Sequence, residues 1–359
     1  TIVELIDLHQ GFDVVTSRIA TRSKRSLLWI VALATFFLSP VLDNLTTAIV
    51  MISVARKFIS ETKERWIFGG MIVIASNAGG AWSPIGDVTT TMLWIGGQIS
   101  PLKIMSTLFL PSLVCLLVPL VLLTFSVRGR TAERRAVKSR STGITSFDKH
   151  FVFLLGMLGL ISVPVFKSLT GLPPYLGILL ALGVIWAATE ILHRGKKHEN
   201  RNLAGMPERA AGDQPSVESA LSRIDIPSIL FFLGILAAVG ALESAGLLKA
   251  LASTLDRQIG NQSAVVFCLG ILSAVIDNVP LVAAGMGMYD LKLYPRDSLT
   301  WEFLAYTAGT GGSMLIIGSA AGVAVMGLEK IPFFWYLKKI SGPALAGFAA
   351  GAAFYLLTY

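Results

Sequence analysis

Long apolar runs alternate with short polar connectors along the chain, and several runs are interrupted in mid-course by polar, glycine-rich pieces. Ile104 to Val127 is the clearest continuous run. A stretch of about 18 or more apolar residues with almost no charge is long enough to span a bilayer as a helix. Leu27 to Leu38 is apolar for only about 12 residues, too short for a hydrocarbon core of about 30 Å at 1.5 Å per residue. It stops at Ser39-Pro40-Val41-Leu42-Asp43-Asn44, and a second apolar stretch, Leu45 to Val54, follows. Basic residues flank both outer ends: Arg18, Arg22, Lys24 and Arg25 before, Arg56 and Lys57 after. Basic clusters mark the cytoplasmic ends of membrane helices. The pattern therefore predicts a re-entrant helical hairpin over about 27–55, with its tip, Asp43-Asn44, deep in the membrane.

The next run, about 66–98, is broken by Ser76-Asn77-Ala78-Gly79-Gly80-Ala81-Trp82-Ser83-Pro84-Ile85-Gly86-Asp87. Glycines and a proline in mid-span predict a helix interrupted near the bilayer midplane. A span over about 104–127 closes a first repeat, residues 1–149, whose last loop carries seven Lys or Arg from Arg128 to Lys149. Residues 150–225 read as a connecting helix pair (His150 to Phe166, Tyr175 to Leu192) and a basic cytoplasmic loop. A second repeat, 226–359, opens with an outward crossing, Ile226 to Leu242. It continues with a hairpin over about 263–288 around Asp277-Asn278-Val279-Pro280, a broken helix over about 301–328 interrupted at Gly309 to Ser313, and a final span over about 343–359. Ile331 to Ile340 is expected at the interface. Counting spans places the second hairpin's opening on the outer side.

Composition agrees with a membrane protein: 53% of the 359 residues are hydrophobic and 14% charged, where a soluble domain has about a quarter charged. Mean hydropathy is +0.68. The net charge of +8 does not point to nucleic acid, because the basic residues gather between apolar spans. Cys115 and Cys268 lie in apolar runs, with no disulfide or metal framework legible. The chain opens Thr-Ile-Val-Glu without a signal peptide, so further helices are expected ahead of Thr1.

Two signatures occur twice in the same order. Ser-x-x-x-Asp-Asn spans Ser39 to Asn44 and again Ser273 to Asn278; Gly79-Gly80…Gly86 returns as Gly311-Gly312…Gly318. Asp43 precedes Gly79 by 36 residues and Asp277 precedes Gly311 by 34. Each signature is weak alone; order, spacing and apolar context together indicate duplication. With one hairpin entering from each side, the expected fold is an all-α membrane protein built as an inverted repeat with two re-entrant hairpins and two broken helices. That is the build of secondary transporters. Backbone outside a helix persists in lipid only where it lines a cavity or is buried in protein, so four such breaks imply a polar site.

Asp43, Asp87 and Asp277 are the carboxylates expected at membrane depth, where ionisable groups are costly. Burial disfavours a carboxylate's charged form, and a nearby cation favours it, so one oxygen can serve a proton or a cation in turn. Hard cations take oxygen ligands. The carbonyls of Asn44, Asn77 and Asn278 and the hydroxyls of Ser39, Thr89, Thr90, Ser273, Ser313 and Ser319 are candidates to complete the shell. Plainer readings stand beside these. Asp43-Asn44 and Asp277-Asn278 precede helical arms, where Asp and Asn are good N-caps. Asp87 serves a broken helix by hydrogen bonding, and each Ser or Thr has a back-bond to its own helix as alternative. Asp225 reads as a cap, Glu243 as solvated, Glu4, Asp7 and His9 as an interfacial cluster, and Met286 and Met288 as core.

The stretches Ser39 to Thr47, Ser76 to Thr90, Ser273 to Leu281 and Gly309 to Ser319 resemble the signature regions of the NhaD-type sodium/proton antiporters of the ion transporter superfamily. The resemblance runs from Thr1 to the C-terminus. It implies exchange of sodium or lithium for protons, with Na+ at Asp43, Asn44, Asp277 and Asn278 beside the polar groups of the broken helices. It also implies a homodimer with a scaffold and a moving, elevator-like transport domain. No other cofactor is implied. The partners expected are the lipid bilayer, monovalent cations and protons, in a bacterial inner membrane or alternatively a plastid envelope. A carboxylate transporter of the same superfamily is the main rival: such relatives carry Ser-Asn-Thr at the hairpin tips, where this chain has aspartate twice. An arsenite exporter shares the architecture. A membrane-embedded enzyme needs a nucleophile with a base or a metal cluster, and His9, His150, His193 and His198 all fall outside the deep parts of the expected spans.

Overall fold

A computed structural model describes residues 2–12, 14, 21, 23–127, 129, 145–170, 172, 174–201, 221 and 226–359. Arg18, Arg22, most of the 128–149 and 202–225 segments and Asp225 lie outside the described residues, as do the side chains of Lys57, His193, His198 and Glu243. Among the described residues the chain is all-helical, without strands. In chain order the helices are α1 (Ile2–Leu8), α2 (Lys24–Leu42), α3 (Asn44–Phe58), α4 (Thr62–Ala81), α5 (Val88–Ile95), α6 (Pro101–Thr124), α7 (Ser146–Thr170), α8 (Pro174–Arg201), α9 (Ile226–Ser244), α10 (Leu247–Ile259), α11 (Gln262–Leu272), α12 (Asn278–Met288), α13 (Leu299–Gly311), α14 (Ala320–Glu329), α15 (Phe333–Lys339) and α16 (Ser341–Thr358). Among the described residues, five segments are long and apolar enough to cross a membrane: Lys24–Leu42, Pro101–Thr124, Ser146–Phe166, Tyr175–Leu192 and Ser341–Thr358.

The chain divides into two compact units. In the smaller, residues 1–20 and 136–226, α7 pairs with α8 and α1 lies against α7. The larger comprises residues 21–135 and 227–359. Its core is made of two interrupted helices. Every residue of α4 from Phe68 to Ala81 is buried, as is every residue of α13 from Trp301 to Gly311. A helix buried on all sides needs no polar face, which is why neither shows the amphipathic stripe of a surface helix. The first interruption runs from Trp82 to Asp87 before α5 resumes; the second runs from Gly312 to Ser319 before α14.

Two elements differ from the sequence expectation. The first hairpin arm is 19 residues long: Lys24 and Arg25 form its first turn and Ser39-Pro40 wind on as helix. At about 28 Å it is long enough to cross, so the short-arm premise does not hold. The second interruption starts at Gly312, past most of the Gly309–Ser313 stretch expected to carry it. Gly309 and Gly311 are helical, and at Gly311 the lack of a side chain serves close packing. A Cβ there would meet the Gly270 carbonyl oxygen of α11 and stand 2.5 Å from Ser273 Oγ. Gly79 on α4 has the matching place: a Cβ would meet the Phe36 carbonyl oxygen of α2 and stand 2.9 Å from Ser39 Cβ. Small residues are what allow membrane helices to approach this closely.

Polar contacts tie the ends of the two interrupted helices. Arg56 at the end of α3 and Arg65 in α4 both pair with the buried Glu329 at the end of α14, and Trp66 Nε1 donates to the Glu329 carbonyl at 3.0 Å. At the other end Asp297 N donates to the Gln98 carbonyl at 2.8 Å, and Ser100 N to Asp297 Oδ1 at 2.5 Å.

Candidate functional site

Asp43 is the hinge residue between α2 and α3. Its backbone, φ 72° and ψ 160°, stops one helix and starts the other. Its carboxylate caps α3, accepting from Thr46 N and Thr46 Oγ1, both at 2.8 Å. That places Asn44 on the first turn of α3, facing the interruption of α4. Asp277 occupies the corresponding N-cap position of α12 without a side-chain cap bond, and its Oδ1 is buried with no hydrogen-bond partner. Asn278 follows it on α12.

Both tip asparagines reach one atom. Asn44 Nδ2 donates to Asp87 Oδ2 at 2.8 Å, and Asn278 Nδ2 donates to the same oxygen at 3.3 Å. Asp87 is the N-cap of α5, its Oδ1 accepting from Thr89 N at 3.0 Å. Asn44 Nδ2 also donates to Asn77 Oδ1 at 3.1 Å. Asn77, on the last turns of α4, then donates through Nδ2 to Ser313 Oγ at 3.0 Å and Ser319 Oγ at 2.9 Å. Ser319 Oγ caps α14, accepting from Gly322 N at 3.2 Å. One buried cluster, Asn44, Asn77, Asp87, Asn278, Ser313 and Ser319, thus draws on both hairpins and both interruptions. The bonds that Asp87 makes through its side chain all come from donors.

The other sequence candidates sit around this centre. Thr89 Oγ1 is buried beside Asp87, with no hydrogen bond of ordinary geometry. Thr90 Oγ1 donates back to the Asp87 carbonyl at 3.0 Å, the local bond weighed as its plainer role. Ser39 Oγ donates to the Ser76 carbonyl at 2.6 Å, and Ser273 Oγ to the carbonyls of Gly270 (2.8 Å) and Ala308 (3.3 Å). These two hydroxyls fasten the hairpin arms to α4 and α13 rather than joining the cluster. Asp43 is half-buried and turned to its own helix. Sequence reasoning passed over Thr46, which holds Asp43, and Glu302, a buried carboxylate on α13. A lone Glu inside an otherwise apolar span was the available signal for Glu302, obscured by its place near the span's start.

Chemically, the cluster offers one carboxylate, three amide carbonyl oxygens and several hydroxyls in a buried space. This is an oxygen-rich set suited to a hard cation, with a net negative group at its centre. The citrate transporter family model matches residues 1–301. Sodium/proton antiporter 2 of Arabidopsis thaliana is 50% identical over 100% of this chain and 83% of its own length. The Na+/H+ antiporter NhaD of Alkalimonas amylolytica is 34% identical, covering 94% of this chain and 71% of that protein. The chain belongs to the NhaD-type sodium/proton antiporter family. Another relative of this NhaD-type chain, sodium/proton antiporter 1 of Arabidopsis thaliana, is 54% identical over the whole chain, which spans 60% of that protein's length. Family and apolar helices together make this NhaD-type chain an integral membrane protein, and relatives named as antiporters point away from an enzyme.

Proposed function

We propose that the protein is a secondary active transporter exchanging Na+ or Li+ for H+, by competition of cation and proton for Asp87 and the hairpin aspartates Asp43 and Asp277. The observation that carries this reading is the convergence of Asn44 and Asn278 on Asp87 Oδ2. A cation at that oxygen displaces two amide donors. A half-turn of each terminal amide then presents carbonyl oxygens to the cation, with Asn77, Ser313, Ser319 and Thr89 within the same cluster. Protonation of Asp87 removes the charge that attracts the cation and gives the carboxyl a proton to donate. Asp43 and Asp277, each adjacent to a tip asparagine, supply the further carboxylates that this exchange uses. Ser39, Ser273 and Thr90 hold the surrounding backbone in place.

The same reading takes residues 1–149 and 226–359 as repeats inverted about the membrane plane, joined by 150–225, with re-entrant hairpins. Support comes from matched packing: Gly79 on Phe36 and Ser39, Gly311 on Gly270 and Ser273. It comes also from the end contacts, where the start of the first broken segment meets the end of the second and vice versa. Elevator-like alternating access and a homodimer follow from the family resemblance. Relatives at 54% and 50% identity are from a plant and one at 34% is bacterial, which weighs toward a plastid envelope over a bacterial inner membrane.

The matched family is described as citrate transporters, so a carboxylate substrate is the second reading. Against it stands a carboxylate at the centre of the cluster and one at each tip, which repel an anion. Proton movement driven by sodium, lithium, citrate or succinate gradients in proteoliposomes separates the two. Response to sodium or lithium, lost in Asp87→Asn, is the expected result; response to citrate alone overturns it.

A further inference from the structure

Glu302 lies in the first turn of α13 and is wholly buried. Neither carboxylate oxygen makes a hydrogen bond of ordinary geometry; the buried Thr107 hydroxyl on α6 and the Tyr355 hydroxyl on α16 are the polar groups that interact with it. The ionisable groups that act on it are Lys103 on α6, Asp297 in the preceding connector and Tyr355 on α16. None forms an ion pair with it among the described residues, and Lys103 Nζ lies instead over the Tyr359 ring, 6.0 Å from its centroid. The Tyr355 hydroxyl donates to the Leu299 carbonyl at 2.9 Å. An ionised carboxylate with no cation paired to it in such a buried place is costly.

Two features connect this acid to the transport path. The first is on its own helix. Gly309 is seven residues on, hence on the same face and about 10 Å along the axis. A Cβ on Gly309 would stand 4.0 Å from Asp87 Oδ2. The second is a cleft of about 670 Å³ lined by its chain neighbour Phe303 and by Asp297, Ser298, Thr300, Tyr355 and Tyr359. Tyr355 both lines this cleft and acts on Glu302. By the sidedness read from the basic loops, this is the extracytoplasmic end.

We propose that Glu302 is a second proton-binding site, exchanging its carboxylic proton with water of the outer cleft at the mouth of the path to Asp87. Release breaks the Glu302 O–H bond and passes the proton to a water of the cleft; capture reverses both steps. The coupling to transport rests on the antiport reading above, while the protonation itself does not.

The test is made on the full-length protein. Infrared difference spectra at neutral pH should show a carboxylic-acid carbonyl band at the weakly hydrogen-bonded end of its range, lost in Glu302→Gln and displaced in Glu302→Asp. If the glutamine variant does not fold, the aspartate displacement decides alone. In proteoliposomes, Glu302→Gln should shift or flatten the pH profile of sodium-driven proton movement. The sodium concentration for half-maximal rate should stay within about twofold, and Glu302→Asp should restore a pH dependence. A wild-type spectrum without the band, or one unchanged in both variants, overturns the proposal even if sodium transport fails. An unaltered pH profile in Glu302→Gln overturns the coupling, because a purely structural glutamate tolerates its isosteric amide.

Discussion

At φ 72° and ψ 160°, Asp43 occupies a backbone region that only glycine enters freely, at a cost of order 1–3 kcal/mol for other residues. Its carboxylate offsets part of that by capping α3. Asp43→Ala keeps the strain and loses the cap, at about 1 kcal/mol. Asp43→Gly loses the cap and releases the strain, so it should unfold in detergent at a higher temperature than the alanine variant, although both lose the carboxylate. Equal melting temperatures would show that the turn is not strained. For Asp87 the issue is donor and acceptor balance. Asp87→Asn sets an amide NH2 or a weaker carbonyl against the two amide donors of Asn44 and Asn278. The loss should be about 1–3 kcal/mol of stability and nearly all sodium-driven proton movement, read by melting and by proteoliposome assay. The duplicated Asp-Asn pairs drew attention in the sequence to Asp43 and Asp277. Asp87 has Ser319 at the equivalent place of the second repeat, so duplication gave it no support, and its central position was settled by burial and by which amides reach it.

At the scale of elements, the matched glycines are the joints between hairpin arms and interrupted helices. Gly79→Ala and Gly311→Ala each force a methyl against a backbone carbonyl, and overpacking of this kind costs about 1–3 kcal/mol. Gly183→Ala on α8, with open space around the added carbon, should be neutral or stabilising by up to about 1 kcal/mol. Thermal unfolding of the three variants checks the contrast, and equal effects would sink it. Hairpin tips and interruptions were legible because Asp-Asn, Pro and paired glycines are local signals. Exact helix ends were not. Ser39-Pro40 reads as a stop, yet Pro40 only removes the bond to the Phe36 carbonyl, and α2 runs on for two more residues to Leu42. Likewise Gly309 to Ser313 read as a break, when the glycines serve approach to α11 and the chain leaves the helix only after them.

For the larger unit as a whole, contacts at two ends tie the interrupted helices together. Glu329 gathers Arg56 and Arg65 at one end, and Asp297 bridges to Gln98 and Ser100 at the other. Single cysteines at Ser60 and Arg296, both exposed, in a background without Cys115 and Cys268, should react with a membrane-impermeant thiol reagent from opposite faces. Labelling from one face alone would overturn the proposed inversion. The all-helical membrane character was readable because long apolar runs are what spanning helices require. The meeting of the two tips was not, since it depends on residues from Asn44 to Asn278 that no local pattern links. Its consequence concerns both hairpins at once. Because each hairpin grips Asp87 through the same oxygen, any change in what that atom holds loosens or tightens both grips together. If the hairpins open to opposite faces as proposed, a single occupancy event would reach the inner and the outer entrance at once, with no relay of shifts needed to carry the message between them.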